Sequence, residues 1–383
     1  MKAAVISFTA RGAVRNRELT ELLGKKIPCT GYSFHKYALE GQTAFYRVRS
    51  LTETLFPSCE LLIFIGAAGI AVRAIAPFIK EKDQDPAVLV MDELAGHVIP
   101  VLSGHLGGAN DWCRRIALLT GAEPVITTAT DLNGVFAVDL FARDNGLLIE
   151  NRDGIREVSG RLLHGEKIGF YSELPWEGEL PGDFVLCERD GEGMLRPLGL
   201  EKEDGCLPED TGRKNFLPEY AEENSPLPEC GIVISPRPHP ACFPIACRLI
   251  PRDLTVGIGC RKGMAGKEIV EFLETALQKY GLDKRRIARL ASISQKEKEP
   301  GILELAFSLR VPFLTFSARE LEAVPGNFEA SGFVRKTVGV DNVCERAAVL
   351  GSGGGELVVP KQAAGGITIA AARRRPILRF TCE

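Results

Sequence analysis

The run Glu60 to Ile65 (ELLIFI) constrains the fold of this chain more than any other feature. Its apolar residues are continuous instead of alternating, which is typical of a strand buried on both faces of a parallel sheet. A small-residue loop, Gly66 to Gly69, follows it, and then the helix-like segment Ile70 to Ile75, which stops before Pro77. A strand, a short loop and a helix in this order predict an α/β layer structure.

The loop Gly66 to Gly69 has two interpretations. Backbone N–H groups are free at a helix start and bind anions there, so the loop could hold an anionic ligand. It could equally be a tight turn between the strand and the helix. Its Gly-x-x-Gly spacing does not match the G-x-G-x-x-G fingerprint of dinucleotide-binding domains.

The alternation of strands and helices covers two parts of the chain. In the first part, strands are predicted at 2–8, 45–48, 60–65, 87–91, 97–102 and 124–126, with helices at 11–23, 106–119 and 135–144. In the second, strands are predicted at 254–258, 287–291, 313–316, 357–359 and 367–370, with helices at 265–280, 302–308 and 343–350. Residues 171–251 hold 12 of the 23 prolines, and strands are expected there only at 184–187 and 231–234.

The predicted fold class is therefore α/β, with two sandwich domains whose sheets are mainly parallel. The N-terminal α/β domain spans residues 1–140, and the C-terminal α/β domain spans 251–383. An irregular, acidic, Pro-rich middle region, 141–250, joins them.

Charge is distributed unevenly along the chain. Residues 171–230 contain 16 acidic and 5 basic side chains, whereas the net charge of the whole chain is only −3, so the remainder is net positive. Net positive folded domains suit a polyanionic small ligand. Nucleic acid is not expected as a partner, because aromatic residues are only 7% of the chain and no basic stripe is interleaved with them.

The sequence has the characteristics of a cytoplasmic protein. Its longest apolar stretches are strand-sized, far short of the ~18–20 residues of a membrane span, so no membrane partner is expected. The N-terminal segment is interpreted as a first strand and not as a signal peptide. Eleven cysteines without a C-x-x-C pair indicate reduced thiols.

Reactive side chains concentrate in residues 82–131. Ligands of open α/β sheets bind beyond the carboxyl ends of strands, and we expect Gly66, Asp92 and Thr127 to lie there together. His105 precedes a predicted helix start, which disfavours the charged imidazolium. A neutral imidazole in a cleft is a suitable general base for activating water, and the alternative for His105 is a hydrogen bond across the turn.

Two acids and a second histidine precede His105. Asp92, Glu93 and His97 have the residue types of a metal site, but the set lacks H-x-x-x-H or H-x-E spacing, so no metal ligands are predicted. Asp92 and Glu93 would orient a histidine or move a proton. As strand neighbours they point to opposite faces, so only one of them faces the cleft. For His97 we expect a structural contact or a contact with a ligand carboxylate.

Other polar and small residues are candidates for substrate contacts. Arg73 and Lys82 suit carboxylates unless they belong to a solvated face, and Thr127, Thr128 and Asp131 suit hydroxyl or oxyanion contacts unless they cap a helix. Two glycines in the first turn of the predicted helix cost about 1 kcal/mol each relative to alanine, which indicates close approach of a ligand or a neighbouring strand. The full set is Gly66, Gly69, Arg73, Lys82, His97, Ser103, Gly107, Gly108, Asn110, Thr127, Thr128 and Asp131.

Seven motifs resemble those of one protein family. They are VRAIAP (72–77), DPAVLVMDE (85–93), SGHLGGAN (103–110), VITTATD (125–131), VGIGCRKG (256–263), KEKEPG (296–301) and VGVDNVCERAAVL (338–350). Together they resemble the CbiG family, the cobalt-precorrin-5A hydrolases of anaerobic cobalamin biosynthesis. The C-terminal part also resembles CobE. Residues 171–250 carry no motif of the family, and Glu345 followed by Arg346 departs from its pattern.

The resemblance implies a reaction. The family opens the δ-lactone of a cobalt-containing, ring-contracted tetrapyrrole and releases a two-carbon unit as acetaldehyde, which gives cobalt-precorrin-5B. His105 would then be the base that activates water, and Asp92 or Glu93 would move a proton. The helix start after Gly104, with the two threonines at 127–128, would supply oxyanion donors.

The resemblance also implies the ligand and the partners. No resident cofactor is implied, since cobalt arrives in the tetrapyrrole substrate. The C-terminal domain would contact the other face of the macrocycle, through Cys260, Lys296, Glu299 and Lys361. Other cobalamin-pathway enzymes and a second copy in a homodimer are the further partners considered.

Two rival functions stay open. A corrinoid carrier would bind the intermediate without catalysis and would release no aldehyde. A nucleotide-dependent α/β enzyme would use the glycine loops, but the chain has neither a P-loop nor a dinucleotide fingerprint.

Overall fold

The computed structural model describes residues 1–80, 84–105, 107–191, 193–198, 226–237, 242–330, 332, 335 and 339–380. The backbone divides into two units, Met1–Leu140 and Phe141–Glu383. Within the described ranges, no helix combines the length and the apolar character that crossing a membrane requires.

The first unit is built on one sheet. Its strands are β1 (Ala3–Ser7), β2 (Cys29–Phe34), β3 (Thr43–Phe45), β4 (Leu61–Ile65), β5 (Ala87–Met91), β6 (His97–Leu102) and β7 (Glu123–Pro124). Its helices are α1 (Ala10–Gly24), α2 (Val48–Leu55), α3 (Ala68–Ile75), α4 (Ala109–Thr120), α5 (Ala129–Leu132) and α6 (Val138–Asp144), the last of which runs into the second unit. The strand order is β3-β2-β1-β4-β5-β6-β7. Strands β1, β4 and β5 are buried at every residue, as their continuous apolar runs predict.

Strand direction divides the polar residues of this unit between two edges of the sheet. Strands β1 to β5 are parallel. Strand β6 is antiparallel to β5, since Met91 pairs with Val98 and Val88 pairs with Leu102. Strand β7 runs parallel to β6. The prediction that Thr127 lies at the same edge as Gly66 and Asp92 is therefore wrong.

The second unit begins with a sheet that the sequence did not fully reveal. Its strands are β8 (Leu147–Ile149), β9 (Ile168–Ser172), β11 (Phe184–Arg189), β12 (Leu195–Pro197), β13 (Cys230–Ile234) and β14 (Ile245–Pro251), with helix α7 (Arg152–Leu163); the short strand β10 (Trp176–Glu177) pairs elsewhere with β20 (Leu378–Arg379). The order is β12-β11-β9-β13-β14-β8. The two strands predicted in this region are present, but the expectation of an irregular middle region is wrong for its described residues. Residues 199–225, which hold much of the acidic excess, lie outside the description.

The C-terminal part of the second unit has its own sheet. Its strands are β15 (Leu254–Cys260), β16 (Ile287–Ile293), β17 (Phe313–Phe316), β18 (Glu356–Ala364) and β19 (Ile367–Arg373), in the order β17-β16-β15-β19-β18. Its helices are α8 (Gly266–Lys279), α9 (Pro300–Leu309), α10 (Ala318–Glu322) and α11 (Cys344–Gly351). Strands β15, β16 and β17 are parallel, and β19 is antiparallel to β15. The mainly parallel α/β class is thus confirmed.

One glycine sets how closely helix α11 packs on this sheet. A Cβ atom on Gly257, in β15, would lie 1.8 Å from the backbone oxygen of Cys344 and 2.8 Å from the backbone nitrogen of Ala348. Since real Cβ contacts are never that short, only glycine permits this helix to touch the strand.

Candidate functional site

The described residues of the SGHLGGAN segment connect β6 to the first turn of α4. Ser103 adopts a left-handed backbone with φ of 58°, which is uncommon for a residue with a side chain. Its Oγ donates to the backbone oxygen of Asp85 at 3.0 Å. A Cβ atom on Gly107 would lie 2.3 Å from the Cβ of Ser103, so the close approach that the paired glycines predicted is made by the loop itself.

The carbonyl groups of this loop accept hydrogen bonds from the N–H groups at the start of helix α4. The backbone nitrogens of Gly108, Ala109 and Asn110 donate to the carbonyl oxygens of His105, Ser103 and Gly104, at 2.8, 3.0 and 2.9 Å. These donors were expected to stabilise an oxyanion, and that expectation is wrong for these three N–H groups because each already has an acceptor.

His105 lies between two carboxylates. Its Nε2 is 2.8 Å from Oδ2 of Asp131, in helix α5. Its Nδ1 is 3.3 Å from Oδ2 of Asp139, in α6. The hydroxyl of Thr130 is 3.2 Å from Nε2. The His105 and Asp139 side chains are 15% and 14% exposed, so the cluster is mostly buried but reachable from solvent.

Asp131 connects this histidine to helix α4. Its Oδ2 also accepts a hydrogen bond from the amide of Asn110 at 2.9 Å, and its Oδ1 accepts one from the guanidinium of Arg114 at 2.5 Å. The same Asn110 amide donates to Thr128 Oγ1 at 3.1 Å. Hydrogen bonds from three side chains fix the Asp131 carboxylate, and through it the orientation of His105.

The two carboxylates shift the pKa of His105 in the direction opposite to the one expected from the helix start. The hydrogen bond with Asp139 is the largest cause that raises the pKa of His105, and Asp131 adds to it, against the opposing effect of burial. Burial alone would raise the pKa of Asp131, but the hydrogen bonds from His105 and Arg114 outweigh it and lower that pKa. The two carboxylates therefore act against the neutral imidazole that the helix start predicted, since both favour the charged form of His105.

Asp139, Arg114 and Thr130 were missed by the sequence analysis. Arg114 lies on the same face of α4 as Asn110, four residues later, which is a usable signal in retrospect. Asp139 is 34 residues from His105, and no spacing rule connects residues that far apart.

The other predicted residues of the first unit lie at the opposite edge. Gly66 follows β4 with φ of 152°, and its backbone nitrogen donates to the oxygen of Met91 at 2.9 Å. Gly69 and Arg73 belong to helix α3, where the Arg73 guanidinium donates to the Gly69 oxygen. Glu93 accepts a hydrogen bond from the hydroxyl of Thr9, which caps helix α1. Lys82 lies outside the described residues.

Asp92 and His97 belong to the hairpin between β5 and β6. The Asp92 carboxylate accepts hydrogen bonds from the backbone nitrogens of Leu94 and His97, at 2.9 and 2.6 Å. Burial raises the pKa of Asp92, but the backbone hydrogen bonds from Gly96, His97 and Leu94 outweigh it and lower that pKa. His97 is 58% exposed and lies 3.6 Å from Asp92 and 3.8 Å from Glu123. The structure therefore does not bring Asp92 or Glu93 to His105, because strand β5, about 13 Å long, separates them.

Three predicted residues of the C-terminal sheet do come together. The carboxylate of Glu299 accepts hydrogen bonds from Lys296 Nζ at 2.7 Å and from the backbone nitrogen of Gly263 at 2.6 Å, and the Lys296 bond is the largest cause that lowers its pKa. Burial raises the pKa of the Cys260 thiol, whereas the nearby Lys296 lowers it less. The Lys296 and Glu299 charges therefore neutralise each other beside a protonated thiol.

The fourth residue, Lys361, belongs to another network. Its backbone nitrogen donates to the buried carboxylate of Glu345 at 2.8 Å, and its Nζ pairs with Glu329 at 3.1 Å. Glu345 also accepts hydrogen bonds from the Asn342 amide and from the backbone nitrogen of Glu329. Glu345, which precedes the departure from the family pattern at Arg346, thus links helix α11 to strand β18 and to the segment at Glu329.

Family models match three consecutive parts of the chain. The model described as cobalamin synthesis G N-terminal matches residues 50–131. The cobalamin biosynthesis central region matches residues 136–251, which covers the part where the motifs gave no resemblance. The cobalamin synthesis G C-terminus matches residues 254–372.

Individual relatives agree with these matches. Cobalt-precorrin-5A hydrolase of Salmonella typhimurium is 36% identical over 343 residues, which cover 88% of this chain and 89% of that protein. The protein of the same name from Priestia megaterium is 32% identical over 329 residues, which cover 85% of this chain and 81% of that protein. Protein CobE of a Sinorhizobium species is 31% identical over 101 residues, 26% of this chain and 66% of CobE. The chain therefore belongs to the CbiG family of cobalamin biosynthesis.

Proposed function

We propose that this protein hydrolyses the δ-lactone of cobalt-precorrin-5A and releases acetaldehyde to give cobalt-precorrin-5B. The observation that carries the proposal is the match to curated cobalt-precorrin-5A hydrolases over nearly the whole length of both chains. The net positive charge outside residues 171–230 suits a substrate that carries many carboxylates.

The reaction has two bond-breaking steps, and both need proton transfer. In the first, water adds to the acyl carbon, the acyl carbon–oxygen bond breaks, and a carboxylic acid and an alcohol form. In the second, the alcohol loses its proton, its carbon–oxygen double bond forms, and its carbon–carbon bond to the ring breaks. The electron pair of that bond passes to the ring, which takes up a proton. Oxidation states balance with water as the co-reactant, so we propose no resident cofactor beyond the cobalt that the substrate brings.

His105 supplies the protons in this proposal. As an imidazolium it donates to the oxygen that leaves the acyl carbon from Nδ1, whose contact with Asp139 is the longer of the two at 3.3 Å and is given up to the substrate. As the resulting neutral imidazole it accepts the hydroxyl proton when acetaldehyde departs. Asp139, the more loosely placed of the two carboxylates, accepts the proton of the attacking water. Asp131 does not change charge, because its lowered pKa keeps it ionised, and it is a positioning residue. Asp92 and Glu93, at the opposite edge, have no part in these steps.

The remaining expectations are kept as proposals. Arg73, Lys82 and the Gly66 to Gly69 loop are candidates for holding substrate carboxylates, and so is the C-terminal edge near Lys296. Association with other enzymes of the pathway, a homodimer and a cytoplasmic location also stay predictions.

The test replaces His105 by alanine and measures acetaldehyde released from cobalt-precorrin-5A. Loss of a general acid typically lowers the rate about 10²–10⁴-fold, so the expected turnover is at most about 1% of wild type. His164→Ala is the matched control, because it removes an exposed histidine at the end of α7 and should leave turnover unchanged.

Two outcomes would contradict the proposal. Wild-type turnover by a folded His105→Ala variant would remove the role of His105. Tight binding of the substrate by the wild-type protein without any aldehyde release would instead indicate a carrier.

A further inference from the structure

The sheet of the first unit has a topological switch point away from His105. From β1 the chain proceeds outward through β2 to β3, and then returns to place β4 and β5 on the other side of β1. In open α/β sheets, ligands bind outside the carboxyl ends of the strands where the order reverses. Here that position lies between the end of β1, at Phe8 and Thr9, and the end of β4, at Gly66.

Aromatic rings lead away from this switch point. The Phe8 ring approaches Gly66 so closely that a Cβ atom there would lie 3.2 Å from it. Phe8 packs edge-on against Phe45 at 5.7 Å, and Phe45 packs against Phe34 at 5.9 Å. Phe34 lies 4.5 Å from the ring of His35, at the end of β2.

The last ring pair is open to solvent. His35 and Tyr46 are stacked, with centroids 4.5 Å apart and ring planes 20° apart. His35 is exposed, and Tyr46 is 74% exposed, the highest fraction among the tyrosines and phenylalanines of the described residues except Phe307. Stacked planar side chains that remain exposed are a surface on which another flat π-system can lie.

Cationic side chains surround this pair in the chain. Lys36 directly follows His35, and Arg47 directly follows Tyr46, with Arg49 two residues later; all three are exposed. Among the described residues, no carboxylate forms an ion pair with Lys36, Arg47 or Arg49. A flat ligand with acidic groups at its rim would therefore meet both stacking and charge complementarity.

The surface made of His35, Lys36, Tyr46 and Arg47 follows β2 and β3, at the same edge of the sheet as the switch point and beside it, and is called here the switch-point surface. We propose that it is a second binding site for a cobalt tetrapyrrole polycarboxylate. The identity of the ligand rests on the proposed function. A ring bound there cannot also contact His105, because the buried strands of the sheet separate the two edges. The tetrapyrrole bound at this surface is therefore a substrate that has not yet reached His105 or a product that has left it. Lactone opening creates one more carboxylate, so the cationic rim binds the product at least as tightly as the substrate.

The test measures how many corrinoids the full-length protein binds. Cobyrinic acid, a stable cobalt corrinoid with free carboxylates, is titrated and followed by its visible absorbance and by equilibrium dialysis. We expect two equivalents per chain for wild type and one for the variant His35→Ala/Tyr46→Ala, with turnover of cobalt-precorrin-5A at saturating substrate unchanged. Tyr37→Ala is the matched control, because Tyr37 is 40% exposed at the same end of β2 but is not stacked on His35.

A charge variant separates stacking from ion pairing. Lys36→Gln/Arg47→Gln should weaken binding of cobyrinic acid at this site at least tenfold, and should not change binding of cobinamide, in which the carboxylates are amidated. Equal weakening of both ligands would overturn the charge part of the proposal.

The remaining outcomes distinguish this proposal from the proposed function. If wild type binds only one equivalent of cobyrinic acid and His35→Ala/Tyr46→Ala still binds it, the second site is refuted and the proposed function is unaffected. If wild type binds only one equivalent and this variant loses both that binding and turnover, the second site is also refuted, and the switch-point surface is where the reaction takes place. Two equivalents without aldehyde release from cobalt-precorrin-5A would retain the surface and refute the hydrolase.

Discussion

The hydrogen bond between His105 and Asp131 should contribute to stability in a pH-dependent way. The perturbation is a double-mutant cycle of His105→Ala, Asp131→Asn and the combined variant, which isolates the pairwise interaction from the other bonds of Asp131. Because the two side chains are only 15% and 9% exposed, solvent screens their interaction weakly.

The expected magnitude follows from the geometry. The Nε2 to Oδ2 distance of 2.8 Å is that of a charge-assisted hydrogen bond. Such bonds contribute about 1.5–3 kcal/mol, whereas neutral ones contribute about 0.5–1.5 kcal/mol. We therefore expect a coupling free energy of about 2 kcal/mol when His105 is protonated and about 1 kcal/mol when it is neutral.

The pH dependence has a definite sign. The pKa of His105 is raised above its ordinary value of 6.5, so its stabilising contribution is complete below that value and is lost as pH rises through the folded-state pKa. The pKa of Asp131 is lowered from 3.8, so its contribution is lost only in more acidic solution. The coupling should therefore be largest near pH ~5.5 and smaller near pH ~9.5.

Each unit contains one tryptophan, so the unfolding of the first unit can be followed by its own fluorescence. Trp112 lies in α4 of the first unit and Trp176 in the second. Urea unfolding of the cycle in a Trp176→Phe background, followed by Trp112 fluorescence, reports the free energy of unfolding of the first unit alone. A coupling that stays the same from acidic to alkaline pH would refute the charged state of His105. A coupling under about 0.5 kcal/mol would refute the interaction itself.

Three further predictions follow from single contacts. Asp139→Asn should lower kcat/KM, because Asp139 accepts the proton of the attacking water, and should also move the alkaline limb of the kcat/KM profile to lower pH, because Asp139 is the largest cause that raises the pKa of His105. A loss of activity without that movement of the limb would refute the effect of Asp139 on His105. Gly257→Ala should destabilise the second unit by at least about 3 kcal/mol in urea unfolding, since its Cβ would overlap a backbone oxygen, whereas Gly160→Ala, in open space on α7, should stabilise it by about 0.5–1 kcal/mol. Arg286 and Asp253 form a buried ion pair. Arg286→Met should lower the free energy of unfolding by about 3–5 kcal/mol in the same measurement, because it leaves the Asp253 carboxylate buried and unpaired.

Apolar runs made most of the fold predictable. Strands β4, β5, β15 and β16 are short and rich in aliphatic residues, as buried strands are, so the sequence located them within two residues. Strand β2 was missed because CTGYSF mixes polar residues with glycine, and its burial comes from its neighbours β1 and β3. The sheet of the middle region was obscured by the prolines and acids that share the same stretch of sequence.

Side-chain partners were less predictable than the residues themselves. The sequence singled out His105, Asn110 and Asp131, and the structure joins all three through one carboxylate. It also suggested a neutral His105, because the nearby helix start was visible in the sequence and the carboxylate of Asp139 was not. Charge state depends on whichever ionised groups folding brings within hydrogen-bonding distance, and spacing along the chain carries no such information.

The length of one loop, in contrast, was enough to predict that Asp92 and His105 lie at opposite edges of the first sheet. Only five residues, 92–96, separate the end of β5 from the start of β6. A link of that length permits a hairpin, whereas a parallel partner needs a crossover of a dozen or more residues. Strand β6 must then run back along β5, and whatever follows it, including His105, must lie at the edge opposite Asp92. Strand direction therefore places His105 and the switch-point surface at opposite edges of the sheet.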